Sequence, residues 1–133
     1  MIFAGAISGI SMAEDAQPAA QAAAEAAAKT WLELIDSGNV EASWTSAAAL
    51  FRSHVSQSQW VSAVAGVRDP LGPVKSRTLQ SAKLLHSLPG APDGQYVVIK
   101  YQSAFANKSS VTETVTPMLE ADGTWHVCGY FVR

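Results

Sequence analysis

Cysteine is almost missing: Cys128 is the single one in 133 residues, so no intramolecular disulfide staples the fold and stability has to come from packing. Charge is scarce as well, at 15% of residues with a formal net charge of −2. Lys and Arg are scattered singly, and without a basic stripe nucleic-acid binding is disfavoured. His54, His86, His126 and Cys128 are of metal-ligating type, yet no His-x-His, Cys-x-x-Cys or His-Glu-x-x-His spacing occurs. No metal and no cofactor is implied. A Gly-rich phosphate loop and a Gly-x-Ser-x-Gly elbow are also missing, which removes the commonest nucleotide-binding and hydrolase signatures. No apolar run reaches the ~20 residues of a transmembrane helix.

What is present is apolar text, 48% of the chain, enough for one core and too little length for two ordinary domains. The first thirteen residues, MIFAGAISGISMA, carry no charge and end in Ser11-Met12-Ala13, the small-x-small form that signal peptidase reads, with Glu14 and Asp15 directly after. We read residues 1–13 as a signal-peptide remnant and residues 14–133 as a single α+β domain, periplasmic or secreted. A buried N-terminal segment is the plain alternative, since no positive n-region precedes the stretch.

Between Pro18 and Ser37 alanine dominates, and Ala20, Ala24, Ala27, Ala28, Trp31, Leu34 and Ile35 share one stripe at helical spacing. Pro18 suits the first turn of that helix and Gly38 the position just past its end. A second helix is expected from an Asn39 N-cap through Val40, Trp44, Ala47, Ala48 and Phe51. The third start is the best marked: Ser56-x-x-Gln59 is a capping box, Val55 and Trp60 form a hydrophobic staple, and Pro70 closes the element.

After Pro73 the period changes to alternation. Four strands fit, roughly 74–88, 95–106, 111–120 and 125–132, and Asp122-Gly123 is the preferred pair for a two-residue type I′ hairpin. The expected fold is therefore α+β: three N-terminal helices packed on a curved four-stranded antiparallel meander sheet. A two-residue loop places Met118 opposite Val127, Pro117 opposite Cys128 and Thr114 opposite Phe131. Thr112, Thr114, Thr116 and Met118 then share a face with Trp125, Val127 and Phe131, while Val111, Val115 and Leu119 share the other with His126, Cys128, Tyr130 and Val132. Both faces come out apolar, so homodimerisation through a sheet face is expected. Pro117 cannot donate to a ladder and marks a bulge or an edge.

The second half also carries a recognisable text: Asp69-Pro70-Leu71-Gly72, the run from Leu88 through Pro89-Gly90-Ala91-Pro92-Asp93-Gly94 to Ile99, Phe105-Ala106-Asn107-Lys108, Glu113-Thr114-Val115-Thr116, and Asp122-Gly123-Thr124-Trp125-His126-Val127-Cys128-Gly129-Tyr130-Phe131. It resembles the bacterial exported-protein family known as domain of unknown function 4019. The resemblance implies a cystatin-like, nuclear-transport-factor-like shape, a curved sheet around a long helix with a conical pocket between them. It implies no activity.

Chemistry-bearing residues are few. His126 and Cys128 stand two apart on a strand, but their side chains start roughly 6.5 Å apart, long for a thiolate–imidazole pair; a packed cysteine beside an ordinary histidine is the favoured reading. Glu113 falls in the phase of Val111 and Val115, either as a semi-buried acid with a raised pKa or as a rim carboxylate paired with Lys or Arg. Arg68 and Arg77 flank the Pro70–Pro73 turn and are of the type that holds a carboxylate. The candidate pocket lining is Trp44, Trp60, Arg77, Tyr101 and Trp125; no catalytic residue is assigned. The expected function is non-enzymatic binding of an envelope protein or small ligand. A pocket enzyme acting on an apolar small molecule is the alternative, and an inhibitor-like interaction domain the third reading.

Overall fold

Alanine has the highest helix propensity, and the alanine-rich text lies in α1 (Ile2–Asp36). The computed structural model describes the backbone from Ile2 to Arg133 and the side chains from Pro18 onward; the side chains of the expected leader remnant, 1–13, lie outside those described. α1 runs through Pro18 and does not start there: one missing N–H is a local loss that the long run of helix formers around it absorbs. Its buried stripe is Ala24, Ala28, Trp31, Leu32 and Ile35, with Leu32 taking the place expected for Leu34. Past its end Gly38 adopts φ +84°, a left-handed conformation that lets the Asn39 N–H reach back to Leu34 O at 2.7 Å.

The single second helix expected from the sequence is two: α2 (Val40–Thr45) and α3 (Ala49–His54). The break falls where the sheet competes for the backbone. Ala48 N–H donates to Val127 O at 2.8 Å, Ala49 N–H to the Glu120 carboxylate at 2.9 Å, and the His126 ring to Ser46 O at 3.1 Å. Ala47 and Ala48 are buried, and their small side chains permit that close approach. Asn39 makes no side-chain cap bond. In α4 (Gln57–Leu71) the capping box is formed as read, and the helix continues one residue beyond Pro70. Its C-terminal carbonyls are met from outside: Asn107 donates to Pro70 O at 3.0 Å through its side chain and to Leu71 O at 2.9 Å through its backbone. Among the described residues four helices, not three, precede the sheet.

The sheet is an antiparallel meander in the order β1 (Val74–Leu85), β2 (Tyr96–Phe105), β3 (Lys108–Leu119), β4 (Trp125–Val132). The pairs Thr114–Phe131 and Val115–Tyr130 stand in the expected register, but beyond Thr116–Gly129 the ladder shifts and Pro117 pairs with Val127. Cys128 is the extra residue of a bulge, placed at the proline that cannot donate. The loop is correspondingly longer than a type I′ turn. Glu120 N–H bonds Thr124 O at 2.9 Å and only Gly123 has positive φ, +84°, which is a three-residue loop closed by a left-handed glycine. The bulge turns Val127 and Trp125 toward the helices, where Val127 is buried in the core. The expectation of two apolar faces fails in part for that reason. Besides Lys100, Gln102, Thr112, Thr114, Thr116 and Phe131 the outer face keeps Tyr96, Val98 and Met118 by the same alternation, and the helix-side face carries Val97, Ile99, Tyr101, Val115 and Val127 against α1 and α4.

Candidate functional site

Ser43, fully buried, ties three helices together: its carbonyl accepts from Trp31 Nε1 at 2.8 Å and its hydroxyl accepts from Trp60 Nε1 at 2.9 Å. Trp31, Trp60 and Tyr130 pack with ring centroids 5.5 to 6.5 Å apart, so the aromatic interior is a solid wedge between sheet and helices. Beside it runs a chain of ions. Glu113, 0% exposed in mid-β3, accepts from Arg77 Nε at 2.7 Å and Arg77 Nη2 at 3.2 Å. It also accepts from Ser103 Oγ at 2.6 Å and from the Tyr130 hydroxyl. Arg77 in turn holds both oxygens of Asp36, at 2.8 and 3.1 Å, and Arg68 Nη2 reaches the same carboxylate at 2.8 Å.

These groups tune one another. Burial opposes ionisation of Glu113, but hydrogen bonds from Arg77, Ser103 and Tyr130 outweigh it and hold the carboxyl below its ordinary range. Each sequence alternative was right only in part: Glu113 is paired with an arginine, but it is buried, not at a rim, and its pKa is lowered, not raised. Asp36 behaves alike, burial being outweighed by the bonds from Arg77 and Arg68. Tyr130 is pushed up by burial and by the Glu113 charge. All the lone-pair capacity of Glu113 is engaged, which leaves it no oxygen with which to take a proton from a substrate.

Two concavities flank this ion chain. A groove of 440 Å³ opens between α1 and the sheet, lined by Glu25, Lys29, Leu32, Arg77, Leu79 and Tyr101 among others. On the far side a slot of 220 Å³ lies between α4 and β4, bounded by Trp60, Ala63, Val64, Val67, Tyr130 and Phe131. Among the described residues no cluster of three metal-ligating side chains occurs, and no helix is long and apolar enough to cross a membrane. A family model described as "Protein of unknown function (DUF4019)" matches residues 27–130. The chain belongs to that family. The matched span holds every member of the ion chain from Asp36 to Tyr130. No curated protein matches the chain.

Of the five pocket residues expected from the sequence, the structure brings together Arg77 and Tyr101, both on the α1 groove. Trp60 belongs to the core and to the α4 slot. Trp125 lines a separate 350 Å³ hollow beneath α1, and Trp44 packs on the core with its Nε1 donating to Val55 O at 2.8 Å. The two arginines do hold carboxylates, but those of Asp36 and Glu113. His126 and Cys128 do not pair: the imidazole meets Ser46 O and, at 2.6 Å, Thr124 Oγ1, while burial pushes the Cys128 thiol up to about 11, away from thiolate chemistry at neutral pH. Asp36 and Ser103 were missed. Asp36 ends a helix in ordinary acidic text, and only its distance to Arg68 and Arg77 in space gives it a role.

Proposed function

We propose that this domain is an exported binding module that takes a ligand or a partner segment in the groove between α1 and the β1 edge of the sheet. The observation that carries this reading is Leu79, 46% exposed on β1 and set in the groove with Leu32 and Tyr101, beneath a rim of Glu25, Lys29 and Glu33. An apolar floor under a rim of both charge signs suits an amphipathic ligand whose polar groups stay wet. Arg77 closes one end, with four hydrogen bonds already made to Asp36 and Glu113; it orients the floor and leaves recognition to the rim. The engagement of all Glu113 oxygens and the raised Cys128 thiol weigh against the pocket-enzyme reading, because neither group is poised to exchange a proton or attack a substrate.

Amide chemical-shift mapping against a panel of short amphipathic peptides and small amphiphiles tests the site. Saturable shifts clustered on Lys29, Leu79 and Tyr101, lost in Leu79→Asp, are expected. Perturbations scattered over the surface, or turnover of any compound, overturn the reading. Export is tested separately, by intact mass of the chain recovered from an expression host with a complete leader. A mature product beginning at Glu14 is expected, and a cytoplasmic product retaining Met1 rejects export.

A further inference from the structure

Arg68 is one-tenth exposed, and of its three guanidinium nitrogens only Nη2 is paired, with Asp36. Nε and Nη1 are buried without a partner. Orphaned buried donors are rare, and leaving them unmet costs the desolvation that a partner would repay. The guanidinium lies 4.8 Å over the Phe105 ring, so stacking covers its face and leaves the in-plane N–H groups unanswered.

The surroundings say what kind of partner suits them. Arg68 follows Val67 directly on α4 and stands one turn beyond Val64, and both valines line the α4–β4 slot. Tyr130, whose pKa burial and the Glu113 charge push up and the Arg68 charge pulls back, is a wall of the same slot. Val67, 43% exposed, lies on its wall; Phe131 borders the slot from the edge strand but turns its ring to the outer face, under Arg133. An apolar channel with an exposed hydrophobic wall and unmet donors beside it is an amphiphile site. The charges narrow the class further: Arg68 and Arg77 balance Asp36 and Glu113, so a second carboxylate would leave the buried chain with excess negative charge, whereas a neutral acceptor would not.

We propose that the slot between α4 and β4 binds the end of an acyl chain, with the apolar body against Trp60, Val64 and Val67 and an uncharged carbonyl oxygen, of an ester or amide, on Nε and Nη1 of Arg68. This site is distinct from the α1 groove and stands or falls independently of it. Because both nitrogens are sealed from solvent, the head group enters by displacing a side chain, and Val67 is the half-exposed neighbour that lines the path.

The test is calorimetric titration of the full chain with methyl decanoate and with decanoate, alongside nitrogen–proton spectra of the arginine Nε–H groups. Methyl decanoate is expected to saturate one site, to bind several-fold tighter than decanoate at neutral pH, and to shift the Arg68 Nε–H resonance downfield. Ala63→Trp, at an exposed position, fills the slot and is expected to abolish binding. Arg68→Met is expected to weaken binding about tenfold, the value of one good hydrogen bond. Three results overturn the proposal: no saturable binding of either compound, unchanged affinity in Ala63→Trp, or an Arg68 Nε–H signal that does not respond. An experimental structure with ordered water on both nitrogens, retained in the presence of methyl decanoate, also rejects it. Tighter binding of decanoate than of its ester rejects the neutral-head assignment and names a free fatty acid instead.

Discussion

Glu113 and Arg68 stand at opposite ends of one chain of ion pairs and differ in how fully their hydrogen-bonding capacity is used. Glu113 has four donors on two oxygens and no exposure; Arg68 has one partner and two bare nitrogens. A saturated buried ion is held in place by its surroundings and contributes rigidity. An unsaturated one costs free energy until something meets it. The same network therefore has a closed end, which reads as structure, and an open end, which reads as a site.

The largest expected effect lies at the closed end. Glu113→Ala removes the carboxylate that Arg77, Ser103 and Tyr130 all address, and leaves a mostly buried guanidinium with Asp36 as its only counter-ion. A loss of about 3–5 kcal/mol is expected, the range for breaking one partner out of a buried pair, measured by urea unfolding. A loss below about 1 kcal/mol would mean that water enters the cavity and solvates Arg77, and the closed end would not be closed. Arg68→Met is expected to cost far less, about 1 kcal/mol or under, because losing the bond to Asp36 is offset by removing two unmet donors while the side chain still packs on Phe105.

Acid should separate the two ends as well. Asp36 and Glu113 both titrate below their ordinary values of 3.8 and 4.5, so below those values the unfolded chain binds more protons than the folded one. Stability then rises with pH in that window. The contribution is fully present above about pH 5 and is lost as pH falls through the folded values. A pH series of unfolding midpoints should show this slope flattened most in Glu113→Gln and less in Arg68→Met, which loses only the Arg68 share of the Asp36 shift. Equal slopes in all three proteins would place the acid sensitivity elsewhere.

Much of the fold was legible because its signals are local. The Ser56–Gln59 capping box, the Gly38 terminus, the change of period after Pro73 and the start of β4 at Trp125 each depend on neighbours within a few residues. What was not legible depends on partners far along the chain. Nothing near Ala48 says that its N–H will be taken by Val127, so one helix was read where there are two. Pro117 was flagged as a bulge or an edge, yet the bulge was not carried through to the facing of Val127 and Trp125, and the outer face was inferred to be more apolar than the register leaves it. For the site, Glu113 was noticed by its phase among valines and Arg68 and Arg77 by their type. Their mates Asp36 and Ser103 carry no sequence signal, because 32 and 41 residues separate Asp36 from the two arginines.

A smaller effect is expected at the Glu120 carboxylate, which caps α3 by accepting from Ala49 N–H at 2.9 Å. Glu120→Ala should cost about 1 kcal/mol, the usual value of an N-cap, with raised amide exchange confined to residues 49–54. Exchange raised through α2 as well would show that the two short helices fray as one element, and that the break between them is weaker than its tertiary bonds imply.

The smallest effect is expected at Phe131, and it tests the facing that the bulge establishes. Tyr130 points into the core beside Trp31; Phe131, the next residue, is 52% exposed on the outer face, with the Arg133 guanidinium 4.6 Å above its ring as its stacking partner. Replacing Phe131 with Asp forfeits that stacking, which at an exposed site is worth about 0.5–1 kcal/mol, and gains an ion pair with Arg133 worth a similar small amount. The net change should lie within about 0.5 kcal/mol, with an unchanged mass by light scattering. Homodimerisation through the outer sheet face predicts something different: the parent should run as a dimer and Phe131→Asp as a folded monomer. A folded monomer in both proteins leaves the threonine-rich face to solvent, as its composition of Lys100, Gln102, Thr112, Thr114 and Thr116 suits. A variant that unfolds outright would place Phe131 in the core and contradict the register itself.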